Sequence, residues 1–216
     1  MTKRLMIILA AVTAALVAVA AATAKSNDTT ITGAGSSFVS PLVAAWTPAL
    51  GSAYGYSVQY SPVGSGAGIA AITNRQVDFG ASDAPLTPDQ FTACKSCVQI
   101  PWALSATSIA YNVPGAPVHL HLDGKTIAKI FLGQITNWND AAIKALNPGA
   151  NMPGLKITPI FRSDGSGTTY NFTDYVSSVS GEWKSKVGNS TSVSFPAGIG
   201  ARGSSGVAGQ IGRAHV

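Results

Sequence analysis

Charged residues are scarce in this sequence, which has 14 lysines and arginines and nine aspartates and glutamates among 216 residues. The basic residues are dispersed, so the pattern argues against a nucleic-acid-binding protein. The acidic residues form no paired cluster, and His119, His121 and His215 show no H-x-x-x-H spacing. Hydrolytic enzymes need a nucleophile with a base, or bound metal ions, and neither arrangement is indicated. We therefore expect neither catalytic activity nor a cofactor.

Long apolar runs are also absent, except at the N-terminus. Lys3 and Arg4 precede an apolar segment over residues 5–22, and small residues follow at the position that signal peptidase requires. This pattern predicts a secretory signal peptide over residues 1–24. An uncleaved membrane anchor is the alternative, because the run is nearly long enough to span a bilayer. Removal of Lys3 and Arg4 would lower the formal net charge from +5 to +3.

Cysteine is equally rare, because Cys94 and Cys97 are the only two. In the cytosol, a C-x-x-C pair would indicate redox chemistry or half of a metal site. The predicted export of the chain favours a small disulfide that closes a loop. An active redox pair is the alternative, although no thioredoxin-like strand and helix surround these cysteines.

One stretch, residues 162–169, concentrates groups that bind anions. It follows an apolar run over residues 155–161 that predicts a strand, and it precedes a helical pattern over residues 170–176. Arg162 offers a planar fork of donors, and Ser166 and Thr168 lie where a helix leaves its first N–H groups unpaired. This turn is therefore predicted to hold a small tetrahedral oxyanion such as phosphate. Helix capping alone is the alternative, because many such turns carry Gly, Ser and Thr only for that purpose.

The same strand–turn–helix pattern occurs twice more. A first strand ends in a glycine-rich turn, and Ser36 or Ser37 is predicted to cap the helix that continues to Leu50. A strand over residues 57–62 is followed by the segment GSGAG at 64–68 and a further helix. The spacing of these glycines does not fit the dinucleotide fingerprint G-x-G-x-x-G, so we predict no nucleotide site. Plain capping is again the alternative for both turns.

An aspartate lies at the end of the next predicted strand. Residues 77–80 predict that strand, and Asp83 follows it at the edge where ligands bind in open α/β sheets. An ionised aspartate accepts a hydrogen bond from phosphate, which keeps a proton at neutral pH, but repels sulfate, which keeps none. Asp83 is therefore predicted to select phosphate over other oxyanions. A capping role before Pro85 is the alternative.

The rest of the chain predicts a mixture of strands and helices. Strands or strand approaches are predicted over 98–102 and 108–113, helices over 122–131 and 137–146, and a short amphipathic segment over 182–184; residues 198–209 are too rich in glycine to assign. Trp138 is predicted to be a core residue. A crossing into a second lobe is predicted near Leu104.

Together these motifs resemble one known family, the substrate-binding protein of the bacterial high-affinity ABC phosphate importer. The segments that carry the resemblance are TGAGSSF at 32–38, GSGAG at 64–68, VDFGASDAP at 77–85, LDGKT at 122–126 and RSDGSGT at 162–168. The resemblance extends from about Ile31 to Gly209. It implies an α/β fold of the periplasmic binding protein type II class, with two lobes and a ligand cleft between them. Residues 25–103 would belong to the first lobe and residues 104–209 to the second.

The resemblance also implies a binding site and a role. The residues that would contact phosphate are Ser37, Phe38, Ser65, Asp83, Arg162, Ser166, Gly167 and Thr168. Asp83 would accept the phosphate proton, and Asp164 would pair with Arg162. The protein would bind phosphate in the periplasm as a monomer, without a cofactor, and deliver it to the membrane permease of the importer. The alternatives are a binding protein for sulfate or molybdate, and an exported phosphohydrolase.

The sequence departs from the family toward its C-terminus. Family members are longer and return to the first lobe with further strands, so we expect the second half of the first lobe to be missing and the second lobe to be incomplete. Residues 210–216 do not continue the family pattern and are predicted to be a non-native tail. The family has threonine at the position of Ser37, and the resemblance does not account for the cysteine pair.

Overall fold

The computed structural model describes residues 29–213 of the chain. The predicted signal peptide, residues 1–24, and the last three residues of the predicted tail lie outside this range. Within residues 29–213, none of the helices combines the length and the apolar character that crossing a membrane requires.

Three parallel strands form the first sheet, in the order β2-β1-β3. They are β1 (Thr29–Gly35), β2 (Tyr56–Ser61) and β3 (Phe79–Ala81). Parallel neighbours need crossover connections, and helices supply them here. The helices of this part are α1 (Ser40–Tyr54) between β1 and β2, α2 (Ser65–Thr73) between β2 and β3, and α3 (Pro88–Ala93) after β3. Because the strands are parallel, their carboxyl ends all lie at one edge of the sheet.

A second parallel sheet, with two strands, lies in the C-terminal part of the chain. Its strands are β4 (Ile160–Arg162) and β5 (Ile199–Ala201). The helices of this part are α4 (Gly124–Phe131), α5 (Ala141–Leu146), α6 (Gly167–Val179), α7 (Gly181–Lys186) and α8 (Gly203–Gly212). The starts of α4 to α7 are each capped by a side-chain oxygen that accepts an N–H from the first turn, a contact that stabilises a helix start. The capping residues are Asp123, Asp140, Ser166 and Ser180. Helix α8 includes the first three residues of the predicted tail, Gln210 to Gly212.

Most of the buried apolar side chains lie in this C-terminal part. Trp183 and Val176 are fully buried in the cluster where α6 packs against α4 and α7. Ile143 is fully buried in a second cluster, against which Trp138 packs, as the sequence predicts for a core residue. The cluster beside the first sheet is smaller, and Leu104 nearby is 99% exposed.

Residues 98–102 and 108–113 do not form strands, so that prediction is wrong. Val98 and Ile100 are 79% and 70% exposed, and neither segment pairs with a strand of residues 29–213. A strand requires a neighbour for its N–H and C=O groups, and an apolar pattern alone does not supply one. The predicted crossing near Leu104 lies in this irregular segment and stays a prediction.

Two other local predictions also need correction. Helix α1 begins after Val39 without a side-chain cap, whereas the sequence predicts a cap by Ser36 or Ser37. The hydroxyl of Ser36 instead accepts a hydrogen bond from the N–H of Phe38 (3.1 Å). Strand β4 is shorter than the predicted run over 155–161, because the N–H of Ile157 donates to the carbonyl oxygen of residue 136 (2.9 Å) rather than to a sheet neighbour.

The structure joins Cys94 to Cys97, which confirms the predicted disulfide. The loop that follows is tied to the segment after β3 through Gln99. Its Nε2 donates to the carbonyl oxygen of Ala84 (3.1 Å), and its Oε1 accepts from the N–H of Leu86 (3.0 Å). The disulfide loop therefore lies beside the turn that carries the predicted Asp83.

Candidate functional site

The turns after β1, β2 and β3 are held together by main-chain hydrogen bonds. The N–H of Ser36 donates to the carbonyl oxygen of Ala81 (2.9 Å), and the N–H of Gly64 donates to that of Gly35 (2.8 Å). This edge is where open α/β sheets bind ligands. The two bonds place the turns with Ser37, Ser65 and Asp83 side by side.

Arg162, the last residue of β4, reaches this edge from the other sheet. Its Nη1 donates to the hydroxyl oxygen of Ser37 (3.2 Å). Its Nε donates to Oδ1 of Asp164 (2.6 Å), and its Nη2 pairs with Oδ2 of the same carboxylate. The two side chains are only 7% and 13% exposed, and the bidentate geometry confirms the predicted Arg162–Asp164 pair. The guanidinium is therefore fixed in direction, with Nη1 pointing to the first sheet.

Asp164 is ionised in this pair at neutral pH. Burial alone would raise the pKa of its carboxyl, but the hydrogen bonds from Arg162 and from the N–H of Gly203, together with the Arg162 charge, hold that pKa below its ordinary value. The Gly203 bond measures 3.1 Å. Asp164 thus compensates part of the positive charge of Arg162, so that the site does not carry a bare cation.

Asp83 lies between the two sheets in a partly buried position. Burial raises the pKa of its carboxyl, and the hydrogen bonds from the Ser36 and Ser65 hydroxyls and the charge of Arg162 only partly oppose that rise. The N–H of Asp83 donates to the Ser65 hydroxyl (3.3 Å), and its carbonyl oxygen accepts from Nδ2 of Asn171 (3.0 Å). Its carboxylate is thus an acceptor beside the Ser36 and Ser65 hydroxyls and the Arg162 guanidinium.

The start of α6 packs directly on Asp83. A Cβ atom at Gly167 would lie 2.6 Å from the Cβ of Asp83, so only glycine allows this approach. The Ser166 hydroxyl is 1% exposed and accepts from the N–H of Thr169 (3.3 Å), so Ser166 acts here as the helix cap. Ser166 therefore caps this helix, as the capping alternative states, and its contact with phosphate stays a prediction.

A second glycine contact joins the two sheets. The N–H of Gly66, in the first turn of α2, donates to the carbonyl oxygen of Gly165 (3.0 Å). Gly64 has a φ of 98°, and a Cβ there would lie 2.5 Å from Oδ2 of Asp164. The glycines of the segment 64–68 thus allow the turn after β2 to contact the main chain of the turn after β4. This contact explains why the segment is rich in glycine, and no nucleotide site is needed to explain it.

Phe38 and Thr168 border a groove of about 1210 Å³ beside Asp83, lined largely by apolar side chains. Phe38 is 41% exposed. Its N–H donates to the hydroxyl oxygen of Ser36 in this structure (3.1 Å). The structure thus brings all eight predicted site residues to one region, and their contact with phosphate stays a prediction.

Two residues of this region were missed by the sequence reasoning. The sequence predicts Ser36 only as a possible cap, yet it is 1% exposed, and its hydroxyl opposes the burial that raises the pKa of Asp83. Ser204, in the first turn of α8, contacts Ser37 through both its N–H (3.2 Å) and its hydroxyl (2.9 Å). The segment 199–206, IGARGSSG, has the same strand–Gly/Ser–helix pattern as the other turns, and that signal could have identified Ser204.

These groups form a pocket wall of hydroxyls, main-chain N–H groups and one guanidinium, together with two carboxylates, of which Asp164 is paired with the guanidinium and Asp83 is not. Donors of this kind hold a small anion without a metal ion, because oriented N–H groups carry partial positive charge. The Asp83 carboxylate favours an anion that can donate a hydrogen bond to it.

The chain matches a family model described as the PBP superfamily domain over residues 20–215. It is 44% identical over 188 residues to the phosphate-binding protein PstS of Xylella fastidiosa (strain Temecula1), covering 87% of this chain and 51% of the relative. It is 42% identical over 212 residues to the phosphate-binding protein PstS of Pasteurella multocida, covering 98% and 59%. The chain therefore spans between half and three fifths of the length of these relatives.

One solved structure shares the fold. It comes from Clostridium perfringens, contains bound phosphate, and is described as the substrate-binding protein of a phosphate ABC transporter. The TM-score is 0.61 at 22% identity, over 84% of this chain and 65% of that one. This likeness and the family match confirm the predicted α/β fold. The chain belongs to the PBP superfamily.

Proposed function

We propose that this chain binds inorganic phosphate at the site formed by Ser37, Asp83, Arg162 and the start of α6, and that it does so as the substrate-binding component of an ABC phosphate importer. One observation carries the proposal: the buried Arg162 guanidinium, the Ser37 hydroxyl and the partly buried Asp83 carboxylate lie together where the two sheets touch. Relatives 42% and 44% identical are named as phosphate-binding proteins, which supports the same ligand.

The chemistry of the wall fits phosphate in its ionised form. Arg162 and the Ser37 hydroxyl supply donors from opposite sheets, and the first N–H groups of α6 add partial positive charge. Asp164 already balances Arg162, so most of the remaining attraction comes from neutral donors. Phosphate would then be held by direct, oriented bonds rather than by net charge.

Asp83 supports phosphate over sulfate and molybdate. A carboxylate close to an anion is unfavourable unless the anion donates a proton to it, and phosphate keeps such a proton at neutral pH. The burial that raises the pKa of Asp83 also makes an unpaired charge there costly, which a donated hydrogen bond would offset. A fully deprotonated oxyanion offers no such bond.

Binding without catalysis is part of the proposal. The relatives reported above are named for the binding of phosphate. A phosphatase assay with and without a chelator tests this part, and turnover of a phosphate ester above that of an Arg162→Met variant would favour the exported phosphohydrolase instead.

Transport in the periplasm completes the proposed role. The signal-peptide pattern over residues 1–24 supports export, and the names of the relatives support phosphate as the ligand that the chain would deliver to a membrane permease. We also propose that residues 25–103 and 104–209 are lobes that close over the ion, with the chain acting as a monomer. The bonds Arg162–Ser37 and Gly66–Gly165 cross between these segments and would join the lobes when closed.

Isothermal titration calorimetry on the chain without residues 1–24 tests the proposal directly. We expect a clear heat of binding from phosphate and little heat from sulfate or molybdate. The heat of phosphate binding should be lost in the Arg162→Met variant. Arg213→Met, which removes a cation at the far end of α8, serves as the matched control. A parallel titration on a chimera extended with the part of the Xylella fastidiosa relative that this chain does not match shows whether that additional length raises affinity. Absence of phosphate binding in both proteins would contradict the proposal.

A further inference from the structure

We infer that the hydroxyl of Ser204 is a further ligand of the phosphate site and donates a hydrogen bond to the bound ion. This inference rests on the proposed function and adds a contact from the start of α8 to the site. It follows from how the hydrogen-bonding capacity of Ser37 is used in the structure.

Within residues 29–213, the Ser37 hydroxyl oxygen has three polar neighbours. Nη1 of Arg162 donates to it (3.2 Å), the N–H of Ser204 donates to it (3.2 Å), and the Ser204 hydroxyl lies 2.9 Å away. A hydroxyl oxygen offers two lone pairs and one proton. The two N–H donors occupy both lone pairs of the Ser37 oxygen. Ser37 must therefore be the donor in its hydrogen bond to the Ser204 hydroxyl, or else donate that hydrogen bond to a bound phosphate ion.

The proton of Ser204 is consequently turned away from Ser37. Ser37 has no lone pair left to accept it, and within residues 29–213 the Ser204 hydroxyl has no hydrogen-bond partner other than Ser37. Two hydroxyl oxygens 2.9 Å apart can reach neighbouring oxygens of one tetrahedral ion. When phosphate accepts a hydrogen bond from the Ser37 hydroxyl, the Ser204 hydroxyl is therefore free to donate a second hydrogen bond to the same ion.

The position of Ser204 is fixed by bonds on both sides. The N–H of Gly203 donates to Oδ1 of Asp164 (3.1 Å), which is itself held by Arg162, and the next N–H donates to Ser37. The start of α8 is thus attached to the same two groups that form the site. An oriented donor of this kind loses little freedom when the ion arrives, which favours a measurable contribution to affinity.

Calorimetric titration of the chain with inorganic phosphate tests the inference. Ser204→Ala should weaken phosphate binding about tenfold, because a hydrogen bond to a charged acceptor is lost. Ser204→Thr keeps a hydroxyl and should restore most of the affinity. Ser205→Ala, one residue further along the same exposed turn, is the matched control and should bind like the unmodified chain. Ser204 is exposed, so we expect an unchanged unfolding midpoint in the absence of phosphate.

A double substitution separates direct contact from support of Ser37. In the Ser37→Ala background, Ser204→Ala should still weaken binding, because its own bond to the ion is lost. If its effect vanishes in that background, Ser204 acts only through Ser37 and the inference is wrong. Equal affinities of the unmodified chain and Ser204→Ala would overturn the inference and leave the proposed function standing. An unmodified chain that does not bind phosphate would overturn both.

Discussion

Replacement of Asp83 by asparagine should reduce the preference for phosphate over sulfate while leaving the fold intact. The two side chains have nearly the same shape, so the contacts of this turn with Gly167 and Ser65 are retained. Asparagine removes the negative charge and replaces one acceptor oxygen by an NH2 donor. The substitution therefore changes the electrostatics of the site and little else.

The magnitude follows from the kind of hydrogen bond that is changed. A bond to a charged acceptor contributes about 1.5–3 kcal/mol and a neutral one about 0.5–1.5 kcal/mol. Asparagine can still accept the phosphate proton through its carbonyl oxygen, so the loss is about 1–1.5 kcal/mol, or roughly five- to tenfold in affinity. Sulfate is relieved of repulsion by the carboxylate and should bind more tightly. The ratio of the two affinities should thus fall by about tenfold or more.

Competition calorimetry measures this ratio, with Asp89→Asn as a control that removes the same charge from an exposed position at the start of α3. The control should keep the selectivity of the unmodified chain. An unchanged ratio in Asp83→Asn would refute the role assigned to the carboxylate. A ratio that falls equally in the control would assign selectivity to net charge instead.

The same variant tests the raised pKa of Asp83. A carboxyl with a folded-state pKa above its unfolded value lowers stability above that pKa, and the penalty disappears as the pH falls through it. Without phosphate, Asp83→Asn should therefore be more stable than the unmodified chain at neutral pH, and the difference should shrink toward acid pH. Chemical unfolding at several pH values measures it, and a variant that is less stable at neutral pH would contradict the burial argument.

Three further predictions concern stability and can be measured by chemical unfolding. Asp164→Asn should be less stable than the unmodified chain at neutral pH, because the pKa of Asp164 is lowered in the folded chain. This difference in stability should disappear as the pH falls through that pKa. A difference that persists at acid pH would contradict the ion pair with Arg162. Trp183→Ala should lose about 3–5 kcal/mol, because this side chain is fully buried, whereas Trp102→Ala, 41% exposed, should lose clearly less; equal losses would count against the assigned core. Replacing Cys94 and Cys97 by serine should lower the free energy of unfolding by about 2 kcal/mol, since the disulfide closes a short loop with a sequence separation of three. Addition of a reductant to the unmodified chain should have a similar effect. No change with either treatment would argue against the disulfide.

The parts of the fold that depend on local chemistry could be predicted from the sequence. The helix after the turn at 162–169 and the helix predicted over 122–131 are encoded by neighbouring residues, and the structure has a helix in both places. The Arg162–Asp164 pair is also local, because the two residues are separated by one position. In each case the competing interactions lie within a few residues, so the sequence pattern is sufficient.

The parts that depend on distant neighbours could not. The apolar residues at 98–102 predict a strand, but strand formation requires a partner that this part of the chain does not meet. The sequence predicts that Ser36 or Ser37 caps the following helix, whereas in the folded chain the Ser36 hydroxyl interacts with Asp83. The contact between Ser37 and Ser204 joins residues separated by 167 positions, and no local pattern specifies such a pairing.

A crystal structure of the chain determined with phosphate would test the central claim most directly. The account predicts one phosphate ion within hydrogen-bonding distance of Ser37, Asp83 and Arg162, at the edge where the two sheets meet. It also predicts that the carboxylate of Asp83 faces a phosphate oxygen at hydrogen-bonding distance, which requires a proton between them. An ion bound elsewhere, or one bound here with Asp83 turned away from it, would contradict the account.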